Sequence, residues 1–232
     1  MIMKHFPVLM AIVATVALLV PAFAQERDRS MQVVSELPLT ADNGDRLANH
    51  TVRLPGPIDQ LLGVVVAVNP TGKITLVEFY DLNCPYCRAA STDIADMVDL
   101  DPQLRLVLVP FPVLGIASIE ASRIELAVAK LGKPQQFYAF HRKVFAQRGT
   151  TDGNRAFDIA RGLGLDAKKL IAVGNSDEVT EQMKSHVQLG NELGLAATPS
   201  FIIGGVAIVG YPGRYHLQAM VDGMNACGKV LC

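Results

Sequence analysis

The sequence has no surplus of positive charge: 21 Lys and Arg stand against 22 Asp and Glu in 232 residues, with no basic patch. Polyanions are held by clustered cations, so nucleic acid is excluded as a partner. No internal repeat or low-complexity tract is present, which excludes repeat architectures. His141, His186 and His216 fall at no metal-ligand spacing and form no nucleophile–base pattern. His141 sits on an apolar helical side, where a packed histidine is expected. Only one long apolar run occurs, Val8 to Val20. It is shorter than the roughly 20 residues a membrane span needs. Cysteine is scarce, with four in all.

That apolar run has flanks of its own. Lys4 and His5 precede it, and Ala22-Phe23-Ala24 offers a small-x-small cleavage site before Gln25. Residues 1–24 therefore read as a bacterial secretory signal peptide, with a single membrane anchor as the weaker alternative. The remaining chain, about 208 residues, suits one domain with an insertion. All four cysteines, Cys84, Cys87, Cys227 and Cys232, lie in it. An even count after an export signal points to disulfides in an oxidising compartment such as the periplasm.

Residues 25–63 form an N-terminal extension in which Ala41-Asp42-Asn43-Gly44-Asp45 is a tight turn. It can join Val33–Leu39 to Leu47–Leu54 as a hairpin. The segment is open to use as an edge extension, an oligomerisation arm or a mobile leader. Strands are expected at residues 64–68, 74–80 and 104–109, with a helix from Pro85 to about Asp99 between the last two. A strand, a helix and a second doubly apolar strand make a parallel βαβ unit. Helices follow, with Gly132 as a stop and Asp152 (or Thr151), Asp166 and Ser176 as caps. Phe201-Ile202-Ile203 and Val206-Ala207-Ile208-Val209 flank Gly204-Gly205, a two-residue hairpin signal. A last helix is expected to bury Leu217, Met220, Val221, Met224 and Cys227.

The chemistry concentrates at Cys84-Pro85-Tyr86-Cys87, where an apolar strand turns into a helix. A helix N-terminus offers unsatisfied N–H groups and the positive end of the macrodipole, which stabilise a thiolate. Cys84 is thus the nucleophile and Cys87, one turn deeper, the resolving thiol. The alternatives are a structural disulfide or half of a zinc site. The second half would have to come from Cys227 and Cys232, whose spacing differs. Glu78 lies in an otherwise apolar strand. Burial there would raise its pKa, unless the strand end is exposed. Cys227 and Cys232 can close a six-residue loop, as a structural disulfide pinning the chain end or as a second redox centre.

Cys84-Pro85-Tyr86-Cys87 after an apolar strand, a long helical stretch, and Thr198-Pro199 before a Gly-Gly hairpin resemble exported thioredoxin-fold proteins of the DsbA type. The resemblance covers roughly residues 64–225. It implies an α/β, thioredoxin-like fold over residues 64–232, with a helical subdomain inserted at about 112–195. It also implies that Pro199 follows a cis bond and faces the cysteines. Thr198 would then offer its main chain to an extended client, with Pro85 and Tyr86 shaping the same surface. Glu78 corresponds to an acidic residue that helps move the proton of Cys87. Residues 25–63 and the Cys227/Cys232 pair find no counterpart in the basic pattern. The expected function is disulfide introduction into unfolded or partly folded exported proteins, with a membrane partner reoxidising the enzyme and no metal or organic cofactor. A disulfide isomerase or reductase is the alternative, since Thr before the cis proline is common in those branches, and a homo-oligomer would accompany an isomerase. A non-catalytic client-binding module on the same fold is the remaining reading.

Overall fold

The computed structural model describes residues 36–61 and 63–232. The expected signal peptide and Val33, at the start of the first expected hairpin arm, lie outside the described residues. The strands are β1 (Ala48–Thr51), β2 (Val65–Val68), β3 (Ile74–Tyr80), β4 (Leu104–Pro110), β5 (Ser200–Ile203) and β6 (Val206–Val209). The helices are α1 (Pro85–Leu100), α2 (Ile116–Leu131), α3 (Pro134–Ala146), α4 (Gly153–Arg161), α5 (Ala167–Gly174), α6 (Asp177–Glu192) and α7 (Arg214–Cys227). One sheet runs in the order β1-β6-β5-β3-β4-β2. Only β3 and β4 pair in parallel, from Ile74 opposite Leu104 to Tyr80 opposite Pro110. Helix α1 makes the crossover between them, as the βαβ reading requires.

The central position of β3 follows from its composition. Leu76 and Tyr80 face a core with Ala90, Ile94 and Met97 of α1 and Phe137 and Phe140 of α3. Val77 and Phe79 face a second core with Val107, Val109, Phe111 and Ile202. A strand buried on both sides needs neighbours at both edges, and β5 and β4 supply them. Between β4 and β5 the chain builds helices α2 to α6, capped where the side chains allow it. Asp152 accepts from Arg155 N at 2.9 Å, Asp166 from Lys169 N at 2.8 Å and Ser176 from Val179 N at 3.3 Å.

Two pairings differ from what local pattern suggests. Strand β2, next to β3 in sequence, pairs instead with β4, because β5 occupies the other edge of β3. The turn at Ala41–Asp45 does form, with Thr40 and Arg46 bridged and the arms joined by Leu47 N to Leu39 O and Glu36 N to Asn49 O, as the hairpin reading expected. The unexpected pairing is that of the other edge of the second arm, β1, with β6. The described part of the N-terminal segment is thereby an edge extension of the sheet. Its Asp42 carboxylate also accepts from the backbone N of Tyr215 and His216, capping α7 from outside. Gly213 is needed for that approach, since a Cβ there would lie 2.3 Å from the Asp42 carboxyl carbon.

Candidate active site

The two cysteines sit where β3 hands over to α1. Cys84 is the N-cap of α1 in an extended conformation, with Pro85 at the first helical position. Proline fits there because its missing N–H would have had no helical partner. Both cysteines are free thiols. The Cys84 thiol lies 3.1 Å from the carbonyl oxygen of Thr198 and donates to it. That contact makes the loop before β5 the opposite wall of the site, and the Thr198–Pro199 bond within it is cis. Tyr86 stands beside it, 66 % exposed.

The electrostatics separate the two sulfurs. The hydrogen bond from Cys87 is the largest influence on Cys84, which is drawn down from 9.0 to about 6. Burial works against that shift, while the Thr198 side chain and the backbone N–H groups of Tyr86 and Cys87 reinforce it. Cys87 is pushed far up, first by burial, then by its bond to Cys84 and the nearness of Glu78. One sulfur is a ready thiolate near neutral pH and the other a reluctant one.

Alternation along β3 puts Glu78 on the same face as Tyr80, the face that packs on α1. Glu78 is fully buried, and neither carboxyl oxygen has a partner among the described residues. Its pKa is raised to about 8, by burial first and then by Cys84 and Glu125. Of the two readings for Glu78, the exposed strand end is therefore excluded.

Sequence reasoning missed the residues that hold the turn in place. Asp81, wholly buried, accepts from Asn83 N, Ser118 Oγ and the backbone N of Val113 and Leu114, at 2.7–2.9 Å. Asn83 donates to Ser118 Oγ and the Thr151 carbonyl, and accepts from Thr151 N at 2.7 Å. The two side chains thus tie the cysteine turn to the start of α2 and to the loop before α4. Glu125 of α2 was missed as well; it is fully buried and accepts from Tyr80 Oη at 2.6 Å. His141 packs edge-on against Tyr80 and Phe145, with its pKa lowered to about 3 by burial, so it is a neutral core ring.

The DSBA-like thioredoxin domain model matches residues 75–219, from β3 through the cysteine turn and the helical segment into α7. The chain belongs to this family. Among relatives of this DsbA-like chain, the thiol:disulfide interchange protein DsbA of Bordetella parapertussis is 28 % identical over 197 residues, covering 79 % of this chain and 88 % of that one. A thioredoxin-like oxidoreductase from Silicibacter pomeroyi DSS-3 is 34 % identical, with a TM-score of 0.66 over 73 % of this chain and 98 % of that one. The thiol-disulfide exchange protein alpha-DsbA2 from Wolbachia pipientis is 26 % identical, with a TM-score of 0.64 over 72 % and 90 %. The DsbA-like chain is a member of a thiol–disulfide oxidoreductase family with a thioredoxin-like fold.

Cys227 and Cys232, outside the matched segment, are joined to each other in a disulfide. They are therefore unavailable as the second half of a four-cysteine zinc site. Cys227, expected in the core, is exposed because it stands at the last turn of α7, beyond its buried residues Leu217, Met220 and Val221. Val230 within their loop is buried, beside Met224 of α7 and the β5–β6 turn.

Proposed function

We propose that this DsbA-like protein is exported to the periplasm and introduces disulfides into unfolded or partly folded exported proteins through Cys84 and Cys87. The observation that carries the reading is the asymmetry of the two sulfurs. Cys84 is held near a pKa of about 6 while Cys87, beside Glu78, is pushed far up. In the disulfide form a client thiolate attacks Cys84 Sγ. The Cys84–Cys87 bond breaks, and its electron pair leaves on Cys87, which takes up a proton. A second client thiolate then attacks the client sulfur of the mixed disulfide and releases Cys84 as its stabilised thiolate. The enzyme is left reduced, and a membrane redox partner accepts its two electrons.

The Thr198 main chain beside Pro199 can pair with an extended client, as an added strand would. Exposed apolar side chains near the cysteine turn support a preference for unfolded chains: Tyr86, Val113, Leu114 and Ile116, leading to Ile119. Ile119 with Pro112, Met183 and Val187 lines an apolar cavity of about 520 Å³. A disulfide isomerase or reductase is the second reading. It is favoured by a Cys84 value nearer to the thioredoxin range, about 7, than to the strongly oxidising limit, about 3.5.

The deciding measurement is the reduction potential of the Cys84–Cys87 couple against glutathione. A value towards about −120 mV, that of the strong oxidant DsbA, supports the oxidase; one near about −270 mV overturns it in favour of a reductase. Gel filtration tests the oligomer that an isomerase would need. Unchanged client binding and cell phenotype in Cys84→Ala would favour the non-catalytic module.

A further inference from the structure

Beneath the cysteines lies a second acid that the exchange chemistry described above does not use. Glu125 projects from the middle of α2, wholly buried, with Tyr80 Oη donating to its Oε1 at 2.6 Å and no partner for its Oε2 among the described residues. Tyr80 and Glu78 are two apart on β3, so both point into the same core. This pocket therefore contains two carboxyl groups, three carboxyl oxygens without a partner among the described residues, and one tyrosine hydroxyl between strand and helix.

We propose that Glu125 is a positioning residue that, together with Tyr80, controls when Glu78 can give up its proton to Cys87. This deepens the exchange reading and rests on it for its consequence. Two carboxylates in one apolar pocket without a cation cannot both ionise at ordinary cost. Their protons therefore leave in two steps that belong to the pair. Both groups are raised to about 8, burial being the chief cause for each.

The other titratable and charged groups around the pocket do not relieve this repulsion. From the β3–α1 turn, Asp81 adds negative charge, though its oxygens are engaged with Asn83, Ser118 and the backbone. From α1 come Cys84 and Cys87, and Arg88 donates to the carbonyl oxygens of Phe145 and Gln147. From α3, His141 is neutral, and Arg142 lies over the Tyr138 ring at 5.9 Å. On α2 itself Arg123 donates to Gly174 O and Thr180 Oγ1, while Lys130 pairs with Glu178 of α6. From α6, His186 turns its Nδ1 to the Pro110 carbonyl oxygen at 3.0 Å. On α4, Arg155 holds the Thr150 carbonyl oxygen, and Asp158 and Arg161 pair on the surface; Lys168 and Lys169 of α5 are exposed.

The proton account is then closed. When a client thiolate breaks the Cys84–Cys87 bond, Cys87 takes the electron pair and a proton from neutral Glu78, which becomes a carboxylate. Solvent later returns a proton to Glu78. The transfer is open while Glu125 stays neutral and closed once Glu125 has ionised, because Glu78 then holds its proton more tightly.

The test is a carbon-13 titration of glutamate-labelled protein, with the pH dependence of disulfide reduction by glutathione, corrected for glutathione thiolate. Wild type, Glu125→Gln and Tyr80→Phe are compared. The Gln variant keeps the acceptor for Tyr80 Oη and removes only the titration. We expect two buried carboxyl steps in wild type and one in Glu125→Gln, with Glu78 and the alkaline limb of the rate moved by at least about one pH unit. Tyr80→Phe, which removes the hydrogen bond favouring the Glu125 carboxylate, moves the Glu125 step up and brings Glu78 to its Glu125→Gln position. Superimposable Glu78 titrations in wild type and Glu125→Gln overturn the proposal, as does a single buried step in wild type. If the steps separate but no variant exchanges with glutathione, the control of Glu78 by Glu125 stands and the exchange reading fails.

Discussion

Lowering the pH should strip stability from the reduced protein by a calculable amount, because Cys84 ionises more readily folded than unfolded. Its value falls from 9.0 to about 6 on folding. A depressed folded pKa contributes stability that is complete above the unfolded value and is lost as pH falls through the folded one. The window therefore runs from about pH 9 down to about pH 6. Three units correspond to about 4 kcal/mol in full. At pH 7 the unfolded thiol is still protonated, and the linkage gives at most about 1.4 kcal/mol, trimmed by the solvent close to this sulfur. The disulfide form has no Cys84 to ionise, so the same energy favours the reduced protein. That makes the couple more oxidising by up to about 30 mV. The assay is urea unfolding of reduced wild type and Cys84→Ser at pH 5 and pH 7, with thiolate absorbance read against pH. Wild type should gain about 1 kcal/mol over Cys84→Ser between the two pH values. A constant difference, or an absorbance midpoint near 9, refutes the argument.

Glu78 works with the opposite sign. Its folded value of about 8 lies above the ordinary 4.5, so the folded state binds the extra proton and stability falls as pH rises between them. Glu78→Gln should remove the Glu78 share of that slope, leaving the share of Glu125, and stabilise the protein by about 3 kcal/mol at pH 7, measured by urea unfolding, while slowing exchange. Asn83→Ala strips three hydrogen bonds between the cysteine turn and the helical segment. A loss of about 2 kcal/mol is expected in denaturant unfolding, with a larger fall in exchange rate than in secondary structure by circular dichroism. Cys227→Ser with Cys232→Ser should cost roughly 2 kcal/mol, the entropy of a six-residue loop, and leave glutathione exchange unchanged. A lost or altered exchange rate in that variant would assign the pair a redox role.

The elements were legible where their causes are local. Val64–Val68, Ile74–Tyr80 and Leu104–Val109 carry strand composition, and the observed strands fall on them within a residue at either end. Asp152, Asp166 and Ser176 cap the helices they precede because a cap needs only the next three residues. The partners of β1 and β2 were not legible, since each pairs with a strand remote in sequence or blocked from its neighbour by a third. Glu125 left a faint trace. It stands four residues after Ala121 and three before Val128, on the apolar stripe of α2, where an acid is out of place. Asp81 and Asn83 left none, because a polar pair in a turn looks the same whether it faces water or ties two segments together.

The sequence by itself placed Cys84 and Cys87 at a strand-to-helix turn, the candidate reacting pair. A C-x-x-C at such a turn carries within four residues both the hydrogen bond from Cys87, the largest influence on Cys84, and the backbone N–H groups that reinforce it. The tertiary structure alone decided what the cysteine pair touches. Thr198 comes 114 residues after Cys84 and supplies the carbonyl opposite its sulfur. Glu125 comes 47 residues after Glu78 and shares its pocket. Such groups act through distance and exclusion of water, and both are properties of the packed chain that no local stretch contains.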